Sequence, residues 1–132
     1  MKTKILTLTL AIVLALGMLL SCGETVDLWN EATYRENTTL GEGEKSFSLV
    51  VSYKENSITI TVKTNEKNLG DALYSLNIIN DPAFFDTVNG IKADWNADKA
   101  YWTLLIGGEY ASVGACDIEI NGGENFKLVY TK

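Results

Sequence analysis

Strict alternation over two neighbouring runs constrains this chain more than any other feature. Phe47, Leu49, Val51 and Tyr53 alternate with Ser48, Val50 and Ser52, and Ile58, Ile60 and Val62 alternate with Thr59, Thr61 and Lys63. Successive strand side chains point to opposite faces, so a period of two marks half-buried strands with one apolar face each. Lys54-Glu55-Asn56-Ser57 separates the runs and predicts a reversing turn, with Asn56 expected at positive φ. The result is a hairpin with one face that must be covered.

The cover follows directly in the chain. Leu69, Ala72, Leu73 and Leu76 fall at i, i+3, i+4 and i+7, a single apolar stripe on a helix. Asn68 is a good N-cap, and Asp71 favours the positive end of the helix dipole. The pattern predicts a helix of roughly ten residues stopped by Asn80-Asp81-Pro82. Further hairpins are signalled by Asn89-Gly90, Gly107-Gly108 and Asn121-Gly122-Gly123, because type I′ turns need positive φ at both central residues. Strands are expected over 84–88, 101–106, 110–113, 116–120 and 126–130. Short strands around one helix make an α+β sheet with the helix on one side.

The N-terminal part reads differently. Lys2 and Lys4 precede an apolar run from Ile5 to Leu20, the pattern of a signal peptide over residues 1–21 and too short for a membrane span. Leu19-Leu20-Ser21-Cys22 resembles a bacterial lipobox, which makes Cys22 the expected lipid attachment and the membrane the expected partner through that lipid. Each buried methylene contributes about 0.8 kcal/mol, so one acyl chain holds marginally and two or three hold durably. Residues 22–45 are polar and acid-rich and read as a tether. Trp29 and Tyr34 are out of place in a free linker, and point either to packing on the domain or to the membrane interface. The domain proper is expected over 46–132.

Charge and residue usage exclude several function classes. The chain has 17 acidic and 11 basic residues, and removal of Lys2 and Lys4 with the signal leaves a net charge of −8. Such a surface repels phosphate backbones, so no nucleic acid is expected as partner. The chain has no histidine, the commonest general base and zinc ligand. No phosphate-binding glycine loop or nucleophile–base pairing can be drawn, and an enzyme is not expected. Asp94-Trp95-Asn96-Ala97-Asp98 opens like a calcium loop but has Lys99 at its sixth position and Leu105 at its twelfth, so no metal site is expected. With Cys22 lipidated, Cys116 has no disulfide partner; Asp117 beside it opposes thiolate formation, and it reads as a packed side chain.

Aromatic residues remain as the candidates for binding. Trp95, Tyr101, Trp102 and Tyr110 cluster on and beside two hairpins, with turn backbone near Asn89. Alternation puts Tyr101 and Trp102 on opposite sides of one strand, so one packs in the core while the other meets ligand or solvent. An exposed remainder suits a small, flat apolar ligand or a partner surface.

These residues also carry a family resemblance. Leu69-Gly70-Asp71-Ala72-Leu73, Thr87-Val88-Asn89-Gly90-Ile91, Ala93-Asp94-Trp95, Ala100-Tyr101-Trp102, Gly108-Glu109-Tyr110-Ala111 and Val129-Tyr130-Thr131-Lys132 resemble, in order, landmarks of the DUF4430 family. Ala32-Thr33-Tyr34 and residues 38–43 resemble its leader, so the likeness spans roughly residues 28–132. That family is similar to the C-terminal β-domain of transcobalamin and intrinsic factor, which implies a β-grasp-like mixed sheet of short hairpins packed on one short helix. It also implies a bacterial protein that is secreted or lipid-anchored. In the vitamin B12 carriers this domain covers one face of the corrinoid and a separate helical domain covers the other. Gly107 departs from the usual asparagine, and 80–86 is shorter than usual.

The sequence therefore leads to an exported, surface-anchored lipoprotein carrying a non-catalytic binding module. Its expected ligand is a small molecule, for which the resemblance names a corrinoid such as cobalamin as one candidate and a membrane transporter as a candidate partner in uptake. No cofactor is expected. The rival reading is a structural or adhesive surface protein that binds a protein or envelope partner.

Overall fold

The computed structural model describes residues 27–132. The expected signal peptide and Cys22 lie outside the described residues. Ten elements follow in order: β1 (Thr38–Leu40), β2 (Lys45–Tyr53), β3 (Asn56–Thr64), α1 (Leu69–Ser75), β4 (Thr87–Val88), β5 (Ile91–Lys92), α2 (Trp95–Asp98), β6 (Tyr101–Ile106), β7 (Glu109–Tyr110) and β8 (Asn125–Thr131). Two 3₁₀ turns, Leu28–Glu31 and Ala115–Asp117, complete the set.

Six strands form one mixed sheet in the order β1-β3-β2-β8-β6-β7, and β4 with β5 forms a separate small hairpin. β2 pairs antiparallel with β3 and parallel with β8, while β8 pairs antiparallel with β6. The first long strand and the last therefore lie side by side at the centre, with a hairpin arm on each flank and a helix between the arms in sequence. That is the β-grasp arrangement, and the fold class is α+β as the alternation and the single helical stripe required.

The inner face carries the core. Phe47, Leu49, Val51 and Tyr53 of β2, Ile58, Ile60 and Val62 of β3, and Phe126 and Leu128 of β8 are buried, joined by Leu69, Ala72 and Leu73 from α1. Phe47 and Phe126 meet edge to face at 5.3 Å, and Tyr130 stands edge-on to both Tyr53 and Trp102. These inward phases follow the alternation residue by residue.

Several local features differ from what the sequence predicts. α1 ends at Ser75, well before Pro82, because Asn77 takes φ 58° and closes a Schellman motif: Asn77 N–H donates to Tyr74 O and Ile78 N–H to Leu73 O, both at 3.0 Å. At the first hairpin the left-handed residue is Lys54, φ 52°, because Tyr53 and Asn56 form the closing pair and place Asn56 inside β3. The expected strand at 116–120 is a 3₁₀ turn followed by pairing to the helix entry, where Leu69 N–H donates to Ile118 O and Ile120 N–H to Lys67 O. The Asn89-Gly90 and Gly107-Gly108 turns adopt the expected positive φ at both residues.

Residues 27–45 are built into the domain. β1 adds in parallel to β3, Ala32 is buried, and Leu28 N–H donates to the Tyr53 hydroxyl at 3.3 Å. For Trp29 and Tyr34, packing against the core is the placement found. Among the described residues no helix is long and apolar enough to cross a membrane.

Burial at the aromatic cluster has a pH consequence. Burial, with smaller contributions from Tyr53, Asp98 and Asp94, raises the Tyr130 hydroxyl above its ordinary value of 10.0. The unfolded phenol ionises first as pH rises, so the native state loses stability from about pH 10 upward. Urea midpoints at pH 9 and pH 11 should fall further apart in the wild type than in Tyr130→Phe, and an equal drop in both would refute the assignment.

Candidate functional site

Among the described residues, no helix covers the second face of the sheet. Alternation along β6 turns Tyr101, Thr103 and Leu105 to it, and cross-strand partners share a face, so Leu105 brings Tyr110 of β7 and Lys127 of β8 to the same side. With Val129 and Thr131 these side chains line a shallow groove of about 420 Å³. The Thr103 and Thr131 hydroxyls are hydrogen-bonded to each other in its floor.

Three of the aromatic candidates come together here. Tyr101 is 48% exposed, Tyr110 80% and Trp95 56%. Tyr101 and Tyr110 line the groove, and Trp95 stands edge-on to Tyr101 with ring centroids 6.1 Å apart. Trp95 opens α2, whose N-cap is Asp94, its side chain accepting from Ala97 N–H at 3.0 Å. The residues that resembled the start of a calcium loop thus form a capped helical turn. Lys99, in the left-handed conformation at its end, places its ammonium 5.1 Å from the centre of the Trp95 ring.

The other two candidates lie elsewhere. Trp102 is 9% exposed and faces the core, its indole N–H donating to Ile91 O at 3.2 Å. Asn89 is 1% exposed; its side chain accepts from Tyr34 N–H at 2.9 Å and donates to Tyr34 O at 2.8 Å. Both hold the β4–β5 hairpin and the N-terminal segment in place, well inside the protein.

Thr103, Leu105, Lys127, Val129 and Thr131 join the groove without having been singled out from the sequence. Their signal was the unused phase of two alternating strands. Seeing it as a site requires knowing that β8 pairs beside β6.

A second depression of about 520 Å³ is lined by the contiguous run 32–38 alone. A single loop gives it one wall, and nothing converges on it from another element. Cys116 is held away from chemistry: its thiol donates to Pro82 O at 3.0 Å, and burial, then the charges of Asp71, Asp117 and Asp81, push its pKa up. Among the described residues no three His, Cys, Asp or Glu side chains group as a metal site requires.

No family model matches the chain, and no curated protein matches it. Fourteen chains of solved structures do. One, a crystal structure from Ruminococcus gnavus ATCC 29149 described as a proposed metal-binding protein, is 24% identical, with 67% of this chain and 98% of that one covered and a TM-score of 0.62. Another is haptocorrin in complex with Cbi, 24% identical over 70% of this chain and 26% of that one, with a TM-score of 0.47. This chain spans about a quarter of haptocorrin's length. The first likeness shows a shared fold.

Proposed function

We infer that this chain is a non-catalytic binding module held at a bacterial cell surface by lipid on Cys22, and that its site is the groove on the outer face of the sheet. One observation carries the reading: Tyr101 and Tyr110, which the core has no use for, are exposed together at one concave surface, with exposed Trp95 edge-on to Tyr101 beside it. Exposed aromatics cost solubility without adding to the fold, and clustered at a concavity they suit a ligand that offers flat ring faces. The structural neighbour from Ruminococcus gnavus is described as a proposed metal-binding protein, which accords with a binding role.

The family resemblance makes a corrinoid the first ligand to try. One domain of this size covers only one face of so large a ring system, so cobalamin would be shared with another protein, such as a membrane transporter in uptake. Cyanocobalamin titrated into the full processed chain in non-ionic detergent, followed by tryptophan fluorescence, tests this. A saturable change lost in Tyr101→Ala and Tyr110→Ala is expected, with thermal stability altered by less than about 0.5 kcal/mol because both side chains are exposed. No saturable change at high micromolar ligand would remove the corrinoid.

Anchoring is tested separately. Cys22→Ala should move the protein from the membrane fraction to the soluble exported fraction. Persistent acyl labelling of that variant would refute the lipid assignment.

A further inference from the structure

The outer sheet face has an unusual charge pattern for so acidic a chain. At the outward positions of β2 and β3 every side chain is serine or threonine except Val50 and Lys63. The register carries the same face through Asn125, Lys127, Val129 and Thr131 of β8 to the groove beside β6. Among the described residues no acidic side chain occupies an outward position on any of the six strands. Glu109, the one acid within β7, pairs with Ile106 and so shares the inner side. Asp94 and Asp98 belong to the α2 turn beside Tyr101 and not to the sheet.

An acid-free face on an acidic protein is complementary to a ligand that is itself negative, because any carboxylate there would repel it. The cations are few and spaced, Lys127 in the groove and Lys63 two strands away. Nucleic acid is a poor match, since its dense phosphate charge needs many basic contacts and the rest of this chain repels it. A sparser anion fits. The hydroxyl and amide side chains offer both donors and acceptors to a ligand rich in hydroxyls. Tyr101 and Tyr110 offer rings whose negative π faces suit the weakly positive C–H face of a sugar ring. Six strands at about 4.8 Å spacing extend the face to roughly 24 Å, enough for several sugar rings in a row.

We propose that the outer sheet face binds an acidic polysaccharide, with sugar rings stacked on Tyr101 and Tyr110, a sugar carboxylate paired to Lys127, and the polysaccharide continuing across β8 to the hydroxyl rows of β2 and β3. This rests on the groove being the binding site and names the class of ligand it takes. The attraction is partly ionic and weakens with salt.

The test is affinity electrophoresis of the full processed chain in non-ionic detergent, on native gels containing polygalacturonate or dextran. Polygalacturonate should retard the protein and dextran should not. Tyr101→Ala and Tyr110→Ala should each weaken the retardation about tenfold. Lys127→Gln should remove most of its salt dependence while Lys127→Arg keeps it. Phe84→Ala, which alters another exposed ring that is not part of the groove, should migrate as the wild type does. No retardation by polygalacturonate, equal retardation by dextran, or retardation unchanged in a Tyr101→Ala/Tyr110→Ala double variant would overturn the proposal. A tyrosine-dependent cobalamin signal without polygalacturonate retardation would overturn it while leaving the groove as a small-molecule site. Silence from both probes would remove the groove as well.

Discussion

Asn89→Ala should destabilise the protein by about 3 kcal/mol, because it removes both side-chain hydrogen bonds that tie Tyr34 of the N-terminal segment to the β4–β5 turn. The Asn89 amide pairs with the N–H and the C=O of Tyr34, while its own backbone C=O accepts from Thr33 N–H at 2.8 Å and its N–H donates to Ile78 O at 2.7 Å. Alanine keeps the backbone bonds and leaves both Tyr34 groups without partners in a partly buried place. It must also adopt φ 52°, a left-handed conformation that costs roughly 1 kcal/mol. Asn89→Gly separates the two contributions, since glycine accepts that φ freely. Urea unfolding should show Asn89→Gly losing about 2 kcal/mol and Asn89→Ala about 3. Limited proteolysis should cut both variants first near residues 27–40. A loss under about 1 kcal/mol for Asn89→Ala would show that Tyr34 finds other partners and that Asn89 is not the clasp.

Gly70→Ala should also destabilise, by about 2 kcal/mol, against the ordinary preference of helices for alanine. Propensity alone favours alanine over glycine inside a helix by about 1 kcal/mol. Here a Cβ on residue 70 would stand 2.3 Å from Pro82 O and 2.9 Å from Cys116 Sγ. The first is backbone and cannot swing aside, so α1 or the 80–86 loop must shift. That shift strains the Cys116 thiol's bond to Pro82 O and the Ile118–Leu69 pairing that ties the helix entry to the chain after Ala115. Differential scanning calorimetry gives the sign directly. A rise in melting temperature would mean that propensity wins and that the close approach is not structural.

Much of the fold was readable from residue order. The phases of β2, β3, β6 and β8 came from alternation, and the Asn89-Gly90 and Gly107-Gly108 turns came from residues that tolerate positive φ. The extent of α1 was not readable, because Asn77 is a weaker stop signal than glycine or proline and acts only when Ile78 packs beneath the helix end. The N-terminal segment resisted for the opposite reason. Its acid- and threonine-rich composition is that of a linker, and beside the short β1–β3 pairing its order comes from single long-range bonds such as Asn89 to Tyr34 and the Asn37 carboxamide accepting from Thr59 N–H at 2.8 Å. Neither bond leaves a periodic trace. The same holds for 116–120, whose apolar alternation suits a strand but whose partner is the helix entry.

At the candidate site the sequence singled out Trp95, Tyr101 and Tyr110 along with Trp102, and set the rule that Tyr101 and Trp102 must part, because neighbouring strand residues cannot share a face. It left open which of them faces inward, and it gave Asn89 the same standing as the tryptophans. Tertiary structure decided both. Tyr130 and Ile91 O take Trp102 into the core, Tyr34 claims the Asn89 side chain, and α1 covers only one of the two sheet faces. The outer groove exists because β8 inserts between β2 and β6, bringing Lys127, Val129 and Thr131 beside Tyr101 from the other end of the domain. Alternation fixes the face of each residue within its strand. Only long-range pairing sets which strands are neighbours, and so which faces add up to a surface.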